Sequence, residues 1–319
     1  MPMIINDDDA EADIHIRPVN DNTQSSSSNF NSNPKPAPRT KSHPLASEIR
    51  VPFSYSPSPD GTDENLLILL HGLGDTHIPF GKLGQALKLP QTATLALRAP
   101  SLIPFLPNAF QWYPSFDPLG ESLPLAAQNP TDALTLLLSV LEYLTGTTGG
   151  RPAWPANRIH LFGFAQGGTI AAEACLAWSR QQAKRAQEGG RSPQSLGSLI
   201  TVSGPLLSFP TTAPCLTPVL FFHRPLKGTQ SMSLRDLKRG FISVREVAGA
   251  SQVKADGDEG EDISMPRGQP EWEPIMRFWS EQLARRSAWA GAEMGGDTGL
   301  YEVVKGGERV TVPRTGTAK

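Results

Sequence analysis

The sequence predicts an α/β domain over residues 47–285, a mostly parallel central sheet with helices on both faces. Three observations predict it. Apolar runs without polar alternation, such as Leu66-Leu-Ile-Leu-Leu70, read as strands covered on both sides. Such runs alternate with stretches whose apolar residues recur at helical spacing, the pattern of successive βαβ units. At residues 160–170, His-Leu-Phe-Gly-Phe-Ala-Gln-Gly-Gly-Thr-Ile, a strand runs into a helix through a turn of small residues.

In chain order, residues 1–46 are rich in Asn, Ser, Pro and Asp and bury too little apolar surface to offset ordering entropy, so a disordered tail is expected. The strand Leu66–Leu70 ends at His71-Gly-Leu-Gly-Asp75. A helix is expected near Phe80–Leu87, a strand at Thr92–Leu97, then a Pro-rich loop from Pro100 to Pro118, long enough to suggest a functional role. Asn129-Pro-Thr-Asp132 marks a helix start before the leucine-rich Ala133–Leu144. Arg158–Phe162 makes the strand entering the small-residue turn, and Thr169–Arg180 the helix leaving it. Strands at Ser198–Val202 and Pro218–Phe222 and a final helix at Trp272–Arg285 complete the series. Residues 250–268, loaded with Asp, Glu and Gly, read as a mobile acidic insertion, and residues 286–319 as a flexible tail in which Tyr301–Val312 has the pattern of a hairpin.

A length of 319 residues suits one sizeable core with tails, and a net charge of −2 provides no field to draw nucleic acid or an anionic membrane. Cys175 and Cys215 are the only cysteines, far from a disulfide framework, so a reduced compartment is expected. The acidic start of the chain and the absence of any apolar run of about 18 residues point to a cytosolic protein, with nuclear entry by diffusion left open. No metal or other cofactor is expected.

The turn at 163–167 has the frame of the G-x-S-x-G nucleophile elbow, in which flanking small residues let a strained strand-to-helix turn present one side chain. Gly163 and Gly167 meet that need, yet Ala165 stands at the centre. A methyl group cannot be deprotonated or attack a carbonyl.

His71-Gly-Leu-Gly-Asp75, Arg98-Ala-Pro100, Trp112-Tyr113, Gly163-Phe-Ala-Gln-Gly-Gly168 and Val202-Ser-Gly204 follow one another in the order seen in the phospholipase/carboxylesterase family, which includes the acyl-protein thioesterases, and the chain resembles that family over roughly residues 64–285. The resemblance implies an α/β-hydrolase fold and an oxyanion hole made by the backbone N–H groups of Leu73 and Gln166. It implies a pocket bordered by His71, Asp75 and Trp112, where His71 belongs to the turn and Trp112 either flanks the acyl site or covers the sheet as a core ring.

The same resemblance exposes what is missing. The acid should follow a strand ending in His-Gly, but Phe222-His-Arg-Pro-Leu-Lys227 puts Lys227 near that position, a charge opposite to the one that orients an imidazolium. The base should precede the last helix, and no histidine follows His223. Replacement nucleophiles would have to be Ser203, Cys175 or His77. His223 ends a strand on the same sheet edge and is the candidate base, whereas His160 reads as a sheet residue and His15 and His43 belong to the tail.

Three functions stay open: a catalytically inactive relative of these hydrolases that keeps a cleft for an acyl, lipid or acylated-peptide ligand; an active ester or thioester hydrolase with a displaced catalytic set; and a structural interaction protein with a vestigial cleft.

Overall fold

A computed structural model describes residues 15–18, 39–146, 154–189, 192–210, 213–225, 232–250, 263–286, 300–305 and 308–313. The chain divides into two compact units, Met1–Pro36 with Ser287–Lys319, and Ala37–Arg286. In the smaller unit Leu300–Lys305 and Glu308–Pro313 form a hairpin where the sequence shows the pattern of one, and His15–Pro18 pairs antiparallel with its first strand. A segment that reads as a featureless tail thus contributes a strand. Residues 251–262, most of the acidic segment, lie outside the described residues, as does Lys227.

The larger unit is built on a seven-stranded sheet. Its strands are β1 (Phe53–Ser56), β2 (Asn65–Leu70), β3 (Thr92–Leu97), β4 (Ile159–Phe164), β5 (Ser198–Val202), β6 (Val219–His223) and β7 (Val244–Ala248), in the spatial order β7-β6-β5-β4-β2-β3-β1. Only β1 runs antiparallel to its neighbour. The helices are α1 (His77–Ala86), α2 (Thr131–Leu144), α3 (Gln166–Gly189), α4 (Met232–Gly240) and α5 (Gly268–Gln282).

All residues of β2, β3, β5 and β6 are buried, as uninterrupted apolar runs require. Alternate side chains enter separate cores. Leu66, Ile68 and Leu70 face the cluster that takes in Leu137 and Leu141 of α2, Ile170 and Leu176 of α3, and Leu234 and Leu237 of α4. Leu67 and Leu69 face the one holding Phe80 of α1 and Ile275, Phe278 and Trp279 of α5. Helix α2 starts where its polar residues predict, with Asn129 Oδ1 accepting from the Thr131 amide at 3.0 Å.

Differences from the sequence reading fall at the margins. Helix α3 begins at Gln166, directly on the turn, and runs to Gly189. Strands β1 and β7 and helix α4 carry no apolar run: β1 lies between prolines, and Arg245 and Glu246 put charge on the opposite edge, as exposed edge strands often do. The long loop contains a short ribbon, Ser101–Leu102 paired with Phe110–Gln111.

Candidate functional site

Register brings the predicted landmarks to one edge. Leu70 of β2 lies beside Gly163 of β4, Phe164 beside Val202 of β5, and Val202 beside Phe222 of β6, so the segments leaving these strands emerge together at their carboxyl ends. Open α/β sheets bind ligands there.

The turn after β4 has the geometry of an elbow. Ala165 holds φ +48°, a left-handed conformation that costs an L-residue about 1–3 kcal/mol and persists where the surroundings fix it. They do so here: the Ala165 amide donates to Val202 O at 2.8 Å, and the Ala165 carbonyl accepts from Thr169 of α3 at 3.0 Å. A side chain at Gly163 would collide with the Gly167 carbonyl and come within 2.5 Å of Gly168 N. One at Gly167 would collide with Leu70 O and come within 2.5 Å of His71 O. Glycines therefore press the start of α3 against the loop that leaves β2, which carries Leu73. Among the described residues nothing accepts from the Leu73 or Gln166 amides.

Both loops that carry these amides are fastened to one segment, Phe110–Ser115. On the β2 side, the Gly74 amide donates to Phe110 O and the Trp112 indole N–H to His71 O, each at 2.8 Å. On the elbow side, Gln166 Oε1 accepts from the Trp112 amide at 2.9 Å, and its Nε2 donates to Tyr113 O at 2.9 Å and Ser115 Oγ at 2.6 Å. The sequence assigns only the backbone of Gln166; its side chain is a clamp that motif reading misses.

His71 is wholly buried, its Nδ1–H donating to Gly72 O at 2.7 Å and its Nε2 accepting from the Ala99 amide at 2.9 Å. Burial lowers its pKa, keeping the ring neutral, and both nitrogens are occupied. Trp112, 2 % exposed, sits 5.5 Å from that ring between centroids. Both residues brace the loop from within. Asp75 is half-buried, and its Oδ1 accepts from the Thr76 amide at 2.7 Å.

On the acid side, β6 ends in His223, whose Nε2 meets Glu246 Oε1 of β7 at 2.8 Å. Ser203, at the end of β5, has φ +53° and donates its amide to Phe222 O at 2.8 Å. Arg224 follows, fully buried. Its Nη1 and Nη2 donate to the two carboxylate oxygens of Glu271 at 2.5 and 2.7 Å, its Nε to Ser264 Oγ at 2.8 Å, and further bonds reach Ala250 O and Met265 O at 3.1 Å. The hydrogen bonds from Arg224 hold the Glu271 carboxyl down at about 2. An arginine at the end of a buried strand was the visible signal for this plug. His77 starts α1 and has a lowered pKa, mainly from desolvation, with Arg98 adding to it; Cys175, His160 and Cys215 are buried in or beside the sheet.

Among the described residues no group of three or more His, Cys, Asp and Glu is placed to hold a metal, and no helix is long and apolar enough to cross a membrane. A cavity of about 430 Å³, lined by Thr145, Trp178, Gln182, Arg185 and Gln194 among others, opens beside the distal half of α3. Trp178 is twelve residues along α3 from Gln166, about 18 Å at 1.5 Å per residue, so this cavity is separate from the elbow.

The sequence profile of the Phospholipase/Carboxylesterase family matches residues 57–196. An uncharacterized hydrolase of Mycosarcoma maydis is 38 % identical over 245 residues, covering 74 % of this chain and 83 % of that protein. Among solved structures, esterase PE8 superposes with a TM-score of 0.52 at 23 % identity, covering 73 % of this chain and 99 % of its own. Acyl-protein thioesterase 2 of Zea mays gives 0.51 at 19 % identity, covering 73 % and 100 %. The fold is that of the α/β-hydrolases, and the chain belongs to the phospholipase/carboxylesterase family.

Proposed function

We propose that this family member binds an acyl or lipid ligand at the elbow without hydrolysing it, using the Leu73 and Gln166 amides as donors to the acyl oxygen. The observation that carries the reading is Ala165 itself: the strained turn is kept at φ +48° while the side chain it presents is a methyl group. The Arg224–Glu271 plug supports it, since a satisfied ion pair occupies the ends of β6 and α5, where the family's acid and base would gather. Loss of a triad nucleophile or base costs roughly 10^6 in turnover, about 8 kcal/mol of barrier, while binding and an oxyanion hole alone retain about 10^3 to 10^4 over water.

Incubation with a fluorophosphonate probe and with a short-chain p-nitrophenyl ester tests this. Neither labelling nor turnover is expected, together with thermal stabilisation by a fatty acid or lysolipid. Silence with no ligand response would instead favour an interaction protein. Ala165→Ser is expected to stay inert, because no histidine follows His223 in the chain to serve as the base that would precede the last helix. A burst of p-nitrophenol from that variant would sink the reading.

A second reading rests on one observation: Ser203, His223 and Glu246 end or lie in three successive strands, with the His223–Glu246 bond formed. Fluorophosphonate attachment to Ser203, lost in Ser203→Ala and His223→Gln, would establish an active hydrolase with a displaced set.

A further inference from the structure

We infer that the cavity beside the distal half of α3 binds a small neutral polyhydroxylated molecule, a sugar or polyol; the inference goes beyond the elbow and does not depend on it. Its volume of about 430 Å³ falls within the roughly 300–1,000 Å³ of small-molecule sites. Three elements enclose it. Trp178, Gln182 and Arg185 follow one another at i, i+4 and i+7 along one face of α3, the end of α2 contributes Thr145, and the segment before β5 contributes Ser192 and Gln194. Two bonds tie these walls together: the Trp178 indole N–H donates to Gln194 O at 2.9 Å, and the Arg185 guanidinium pairs with Glu142 of α2.

The lining selects its ligand by the groups it leaves unbonded. Among the described residues, the side chains of Gln182, Ser192 and Gln194 have no hydrogen-bond partner. A carboxamide sets donors beside an acceptor, and a hydroxyl is both at once. Neighbouring hydroxyls on a ligand carry the same two roles side by side, so they satisfy both ends of one amide. Charge offers an anion little, since Arg185 is the one charged side chain among the described residues of the lining and Glu142 neutralises it. Only Nη2 of that guanidinium is spent on Glu142, which leaves N–H donors for a neutral oxygen. An acyl chain would strip water from the amides and return no hydrogen bond. A nucleobase needs a ring face to stack on, whereas the Trp178 ring is 2 % exposed and its N–H is engaged.

Titration of the full chain with glucose, trehalose, myo-inositol, octanoate and inorganic phosphate tests this, followed by the NMR signals of the Trp178 indole N–H and the Gln182 carboxamide. At least one of the three polyols is expected to move both signals to saturation, and to bind about tenfold or more tighter there than octanoate or phosphate. Gln182→Leu is expected to weaken that polyol about fivefold or more, as the loss of one amide's hydrogen bonds requires. Ala186→Trp fills the cavity from the same face of α3 and is expected to abolish the response, with an unaltered thermal transition as the check on folding. A smaller preference over octanoate or phosphate at these signals would overturn the ligand class. Polyol binding left unchanged by both variants would overturn the site. If none of the three polyols moves either signal, the inference fails outright.

Discussion

Position 165 and its neighbour 166 divide the labour of the turn: one adopts the strained backbone, the other secures it. Truncating Gln166 to alanine leaves the buried Trp112 amide and Tyr113 carbonyl without partners, so Gln166→Ala is expected to cost about 2–3 kcal/mol in urea unfolding and to expose the 100–118 loop to protease. His160 gives a pH signature. Burial lowers its pKa to about 3, so below the ordinary value of 6.5 the unfolded chain takes up a proton that the folded chain refuses. Stability should therefore fall as pH drops through that window, by about 1.4 kcal/mol per unit for one such site. Buried His71 adds in the same direction. Urea titrations between pH 7 and 5 should show a shallower decline in His160→Asn; an unchanged slope would contradict the assignment. At this scale the elbow glycines, Ala165 and the tight turn at His71 were legible, because steric demands leave few residue choices. The clamp of Gln166 and the seat of Arg224 were not, since long polar side chains reach partners distant in sequence, 47 residues away for Glu271.

Among the elements, the crossing of β4, α3 and the β2 loop is the tightest joint. Gly163→Ala would place a methyl group inside the Gly167 carbonyl, and a loss of about 4 kcal/mol or more, or failure to fold, is expected in circular dichroism of the purified variant. The junction of β6 with α5 depends on charge instead. Removing Glu271 strands a buried guanidinium, so Glu271→Ala is expected to cost about 3–5 kcal/mol, while Arg224→Met with Glu271→Leu should recover most of it. With its carboxyl held at about 2, Glu271 contributes its full stability above pH 4.5 and loses it progressively as pH falls toward 2. Acid unfolding of the double variant should accordingly lack that last step. Buried strands were read from sequence nearly to the residue, Thr92–Leu97 and Ser198–Val202 without error, because burial on both faces leaves an unbroken apolar run. Edge strands β1 and β7 and the short α4 were missed, since a half-exposed element needs few apolar residues and Val244-Arg-Glu-Val-Ala does not stand out from a loop.

For the whole molecule, both apolar clusters lie within Ala37–Arg286, so that unit carries its own core. A chain reduced to residues 37–286 is expected to keep a single cooperative thermal transition, checked by calorimetry; a broad, non-cooperative melt would show that the core needs residues beyond it. The fold class followed from alternation of apolar runs and helical repeats, which survive any change at the catalytic positions. What occupies those positions is a matter of a few atoms and is independent of the architecture. One guanidinium, that of Arg224, binds Ala250 on one side of residues 251–262 and Ser264, Met265 and Glu271 on the other. A backbone cut engineered between those stems should therefore yield two pieces that separate on a denaturing gel yet travel as one particle through a sizing column, joined by this guanidinium and by Ile275, Phe278 and Trp279 of α5 buried against the sheet.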